Sequence, residues 1–119
     1  MQDFRKLKIW KNAHELTLAV YLATKAFPFE ETYGLRSQMR RSSSSIGINI
    51  AEGCGRGGSI ELRRFLRVSM GSASELEYQL LLARDLKLLP QAEHLNLTSR
   101  VVEIKRMTTA LIRRLTTDN

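Results

Sequence analysis

Apolar side chains along the first third of the chain fall at Ile9, Ala13, Leu16, Val20, Ala23 and Phe27. These steps of four and three put them on one face of an α-helix, the pattern of a bundle seam. The spacing predicts a first helix over about 9–27. Trp10 and Tyr21 flank the seam, and Pro28 stops it, because proline disfavours helical angles at the preceding residue. Residues 1–8 read as a lead-in, with Phe4 and Leu7 docking on the bundle.

The second segment is less conventional. Met39, Ser42, Ser43, Ile46, Ile50 and Gly53 repeat with the helical period, yet half of them are serine or glycine. As a strand, the serines at 42–45 would supply little to pack. As a helix over about 35–53, the segment is slender, and neighbouring helices can approach it closely. It reads as the inner helix, ended by the cluster Gly53-Cys54-Gly55-Arg56-Gly57-Gly58. Ser59 then suits an N-cap, with Glu61 in the first turn. A third helix over about 59–88 carries Leu62, Leu66, Ser69, Ala73, Leu76, Leu80 and Ala83 on its seam. Its small patch Gly71-Ser72-Ala73-Ser74 is expected to face the small patch of the second helix. Pro90 opens a fourth helix over about 91–116, with Leu97, Val101, Ile104, Thr108, Leu111 and Leu115 inward. Residues 117–119 are expected to fray. Four amphipathic helices joined by short turns predict an all-α, up-down-up-down antiparallel four-helix bundle, one domain over residues 1–119.

That topology changes the meaning of the charge. Nineteen Lys and Arg against twelve Asp and Glu give a formal net charge of +7. In an up-down bundle the first helix starts, the second ends, the third starts and the fourth ends at one pole. Arg5, Lys6, Lys8, Lys11, Arg56, Arg63, Arg64, Arg67, Arg113 and Arg114 gather there against Asp3, Glu52, Glu61 and Asp118. The balance is about +6 at that end. The other pole mixes Glu30, Glu31, Arg84, Asp85, Lys87 and Glu93 and is near neutral. A concentrated basic end is the footprint of a binder of phosphate backbones, RNA or DNA. The candidate contacts are Lys8, Lys11, Arg56, Arg63, Arg64, Arg67, Arg113 and Arg114. The bland reading of the same residues is a set of solvated helix surfaces.

Other features carry less chemistry. The glycine-rich stretch 53–59 follows a helix rather than a strand and lacks a Gly-Lys-Ser/Thr ending, so it reads as a helix-helix turn and not a nucleotide-hydrolysing loop. Ser45, Asn49 and Glu52 share a helical stripe. Together with Arg40 and Arg41 they form a candidate structural polar network, since a buried carboxylate needs a partner. No catalytic residue is expected, because nothing nearby resembles a nucleophile–base pair. His14 and His94 lack ligand-spaced mates, so neither a metal site nor a cofactor is expected. Cys54 is a lone thiol that its glycine neighbours would leave exposed. Leu18, Leu22, Val68, Leu82 and Ile112 lie off the main seams and suggest contacts between copies of the chain. With no secretory signal and no apolar run of spanning length, the expected setting is cytoplasmic, without membrane contact.

One combination of residues is specific. Ile9-Trp10-Lys11 with Ala13, Thr24 to Pro28, Tyr33-Gly34-Leu35, Gln38, Arg40-Arg41 and Ser45-Ile46 lead into Asn49-Ile50-Ala51-Glu52-Gly53. Arg56, Phe65-Leu66, Gly71-Ser72 and Glu75-Leu76-Glu77-Tyr78-Gln79 continue the pattern. Over about residues 4 to 115 the chain resembles the proteins encoded in bacterial 23S rRNA intervening sequences, also called S23 ribosomal proteins. The resemblance implies a non-enzymatic four-helix bundle assembling as a homopentamer. It also implies kinship with the accessory variability protein of diversity-generating retroelements, a pentameric basic barrel that binds nucleic acid and a reverse transcriptase. Gly47 departs slightly from the pattern, where proline or another small residue is expected, and this bears on the local bend of the second helix. The competing expectation is an assembly scaffold whose partner is a protein, with no direct nucleic-acid role.

Overall fold

The computed structural model describes residues 3–117, so Asp118 and the expected fraying of 118 and 119 lie outside the described residues. Four helices carry the fold: α1 (Lys8–Thr24), α2 (Leu35–Arg56), α3 (Ser59–Asp85) and α4 (Gln91–Thr117). No strand occurs among the described residues. Cross-helix hydrogen bonds fix the directions. Thr17 on α1 reaches the Ser43 carbonyl on α2 at 3.0 Å. Ser72 on α3 meets Ser45 on α2 at 2.9 Å, and Ser69 on α3 reaches the Ile46 carbonyl at 2.8 Å. Lys105 on α4 pairs with Glu77 on α3 at 2.9 Å. Partner numbers rise on one helix as they fall on the next, so neighbours are antiparallel. Each helix touches the helices next to it in sequence, and α1 closes the ring against α4. The result is an elongated four-helix bundle of 47 × 22 × 19 Å.

The core follows the seams. Ile9, Ala13, Leu16, Val20, Met39, Ile46, Ile50, Leu66, Leu76, Leu80, Leu97, Val101 and Ile104 are buried. α1 departs near its end: Thr24 is fully buried and Ala23 only partly so. Thr24 satisfies its hydroxyl by donating to the Val20 carbonyl at 2.8 Å and accepting from Arg40 Nε at 2.9 Å. The helix stops there, and Phe27 enters the core from the connection. Phe4 sits edge-on to Trp10, with ring centres 4.9 Å apart, and holds the lead-in against α1.

The small-residue patches meet only in part. α2 and α3 make the most extensive helix contact, bridged by the serine bonds above and by Ser42, which donates to Glu75 Oε1 at 2.8 Å. Gly71 and Ser74, however, face outward.

Three expectations about the glycine cluster are corrected. α2 does not end at Gly53 but continues to Arg56. The chain breaks at Gly57 and Gly58, where φ is +75° and +90°, angles that L side chains rarely adopt. Ser59 is not an N-cap: Gly58 occupies that position, and Ser59 is the first helical residue. Cys54 is buried, 3% exposed, because the extended helix turns it inward one turn after Ile50. Burial pushes its thiol pKa up, with Asp3 adding to the shift, so the thiol stays protonated at neutral pH. α3 is also shorter than expected. It ends at Asp85, and Lys87 at φ +62° turns the chain towards Pro90.

Candidate nucleic-acid interface

The antiparallel order brings the start of α1, the end of α2, the start of α3 and the end of α4 to one pole. Asn12 on α1 contacts Met107 on α4 at 3.4 Å, and Arg63 on α3 donates to the Leu115 carbonyl on α4 at 2.9 Å. Seven of the eight candidate cations sit on the first or last two turns of these helices, and Arg67 lies in the third turn of α3.

Their chemistry separates them into two groups. Arg56 pairs with Glu52 at 2.8 Å and Arg64 with Glu61 at 2.9 Å, both on exposed helix surface. The guanidiniums also rest on the Phe65 ring, 5.2 and 4.4 Å from its centre. The hydrogen bond from Arg64 holds the Glu61 carboxyl below its usual range. Arg63 anchors the last turn of α4 through Leu115, a favourable use of a cation at a helix C-terminus. These three are partly committed to the fold. Lys11, Arg67, Arg113 and Arg114 are exposed and make no carboxylate contact among the described residues. Lys8 is also exposed, and its field, after the hydrogen bond from Arg106, helps hold the Glu103 carboxyl low.

The α3–α4 face extends this surface. A depression of about 420 Å³ is lined by Met70, Lys105, Arg106, Thr109, Ala110 and Arg113. Lys105 and Arg106 both lie about two turns before Arg113, border the same depression, and continue the cationic surface towards the middle of the molecule. Their pairing with Glu77 and Glu103 reduces the local charge.

The five residues of the candidate polar network do not converge. Arg40 turns to α1, bonding Thr24 and the Tyr21 carbonyl and lying 4.6 Å over the Tyr21 ring. Asn49 donates to the Ser45 carbonyl at 2.8 Å and to its hydroxyl at 3.1 Å, and Ser45 links on to Ser72. Glu52 faces Arg56 at the surface. Arg41 is exposed and has no side-chain partner among the described residues. The stripe thus splits into a brace to α1, a serine–asparagine link to α3 and an outer ion pair.

Among the described residues no cluster of His, Cys, Asp or Glu is placed to hold a metal, and no helix is long and apolar enough to cross a membrane. His14 instead stacks on Trp10 at 5.1 Å.

Comparison with known proteins bears on this arrangement. The backbone is similar to the crystal structure of a protein of unknown function from the S23 ribosomal protein family of Bacteroides thetaiotaomicron. The TM-score is 0.78 at 20% identity, over 87% of this chain and 97% of that one. This likeness shows the fold. A search of curated proteins gives no match. The family model for the 23S rRNA-intervening sequence protein matches residues 5–110, nearly the whole bundle. The chain therefore belongs to the 23S rRNA-intervening sequence protein family.

Proposed function

We propose that the protein is a non-enzymatic, self-associating cytoplasmic bundle that binds the phosphate backbone of RNA or DNA through its basic pole. The observation that carries this reading is the group of exposed, carboxylate-free cations Lys11, Arg113 and Arg114 on helix ends that meet at one pole, with Arg67 in the third turn of α3. Counterion release from a backbone makes such a cluster favourable, and arginine forks match phosphate geometry. Family membership supports the same reading. Self-association has its own support: Leu18, Leu22, Ile48, Val68, Tyr78 and Val102 are large apolar side chains left in solvent. The homopentamer rests on the family resemblance.

Gel-shift titration with structured RNA and with duplex DNA across a salt series tests the binding, and light scattering tests the subunit number. Affinity is expected to fall steeply with salt. Reversing Arg67, Arg113 and Arg114 to glutamate is expected to weaken it by at least about tenfold and to flatten the salt slope. Undetectable affinity at low salt would remove the proposal. Salt-tolerant binding to a protein, indifferent to charge reversal at Arg63, Arg64 and Arg67, would favour the scaffold reading.

A further inference from the structure

A second cationic feature lies at the opposite end of the bundle from the basic pole. A surface cavity of about 360 Å³ is lined by Tyr21, Thr32, Arg36, Ser37, Arg40 and Arg41. Three guanidiniums border one cavity whose lining contains no carboxylate. Elsewhere many arginines lie against an acid, as Arg5 does with Asp3, Arg84 with Asp85 and Arg106 with Glu103. Here the positive charge is held in place but not neutralised. Arg36 donates to the carbonyls of Phe27 and Pro28, and Arg40 to the Tyr21 carbonyl and the Thr24 hydroxyl. Glu31, the nearest acid in sequence, is turned away to accept from the Leu35 amide at 2.8 Å.

Arg36, Ser37, Arg40 and Arg41 lie on the first two turns of the 22-residue helix α2, where the helix dipole is positive, and Glu31 caps the Leu35 amide there. Arg41 and Ser37 have no side-chain partners among the described residues, so both remain available to a ligand.

We infer that the cavity bordered by Arg36, Ser37, Arg40 and Arg41 is a binding site for a phosphate monoester dianion. A carboxylate would occupy one guanidinium fork and neutralise one charge. A tetrahedral dianion offers several acceptor oxygens in different directions and matches the excess charge. The same chemistry is carried by free small phosphates and by the terminal phosphate of a nucleic acid. This site shares no residue with the basic pole and does not depend on it.

Calorimetric titration of the full chain with inorganic phosphate at low salt tests the site. Saturable binding is expected, weakened about tenfold or more by Arg41→Gln and measurably by Ser37→Ala. Both substitutions spare the intramolecular bonds, and circular dichroism checks the fold. If Arg41→Gln does not fold, Ser37→Ala decides. Arg113→Glu with Arg114→Glu is expected to leave phosphate binding unchanged. Competition by a 5′-phosphorylated but not a 5′-hydroxyl oligonucleotide would assign the terminal-phosphate source, and absence of competition would assign the free one. No saturable phosphate binding, equal binding by the folded Arg41→Gln variant, or loss through the Arg113 and Arg114 changes would each overturn the inference.

Discussion

Gly53→Leu is expected to destabilise the bundle by about 3 kcal/mol, near the upper end of overpacking costs. A Cβ at Gly53 would stand 2.9 Å from Phe65 Cβ, 3.0 Å from Leu62 Cδ1 and 3.4 Å from Leu62 Cα. The Leu62 methyl can rotate away. Phe65 Cβ cannot, because it is rooted in the α3 backbone, so the helices must part. Gly53→Ala sets a gain in helix propensity of about 1 kcal/mol against a smaller clash and should be mildly destabilising. Gly71→Ala is the matched control. Nothing lies within 4 Å of its new methyl, so the propensity gain should appear as net stabilisation, up to about 1 kcal/mol. Urea unfolding followed by circular dichroism, at one protein concentration, gives all three values. A Gly53→Leu protein as stable as the parent would show that α2 and α3 are not in close contact there.

Leu66→Ala is expected to cost about 2–5 kcal/mol, the range for emptying a fully enclosed leucine site. Leu66 is fully buried on α3, within the continuous core that all four helices share. Removing its branched end loses transfer free energy and leaves a void that the surrounding helices cannot wholly close. Val68→Ala, two residues along the same helix and 45% exposed, should change stability by no more than about 0.5 kcal/mol. The same unfolding measurement compares them. Equal effects would mean that the face of α3 assigned inward is wrong.

Periodicity was enough to read the helices and nearly every inward position, because a slender bundle buries a narrow stripe that recurs in steps of three and four. Ser42, Ser43 and Ser69 show why small polar residues did not spoil that reading: each is buried and satisfies its hydroxyl within the bundle. The end of α2 departs from the sequence expectation for a related reason. Glycine propensity alone favours a break at Gly53, but close packing on Leu62 and Phe65 outweighs it, and only Gly57 and Gly58 need angles that a helix forbids. The gathering of basic residues at one pole followed from connectivity. Which of them stay uncompensated did not, since that depends on rotamers reaching Glu52, Glu61 or a backbone carbonyl. The arginine cavity escapes a charge balance over Glu30, Glu31, Arg84, Asp85, Lys87 and Glu93, because that balance omits Arg36, Arg40 and Arg41. Arg36, Ser37, Arg40 and Arg41 recur at helical spacing and stand in one row on the first turns of α2, so that signal was present in the sequence.

The ring of helices is not uniform. The α1–α4 contact is the smallest of its four seams, and Asn12 and Met107, which meet across it, are 95 positions apart. The other three seams join consecutive helices, so they can zip from a nearby turn. Closing α1 on α4 must instead bear the loop-closure entropy of nearly the whole chain. That seam should be last to form and first to breathe, and native-state amide exchange should reach the global unfolding limit on α2 and α3 while α1 opens by a smaller, local excursion.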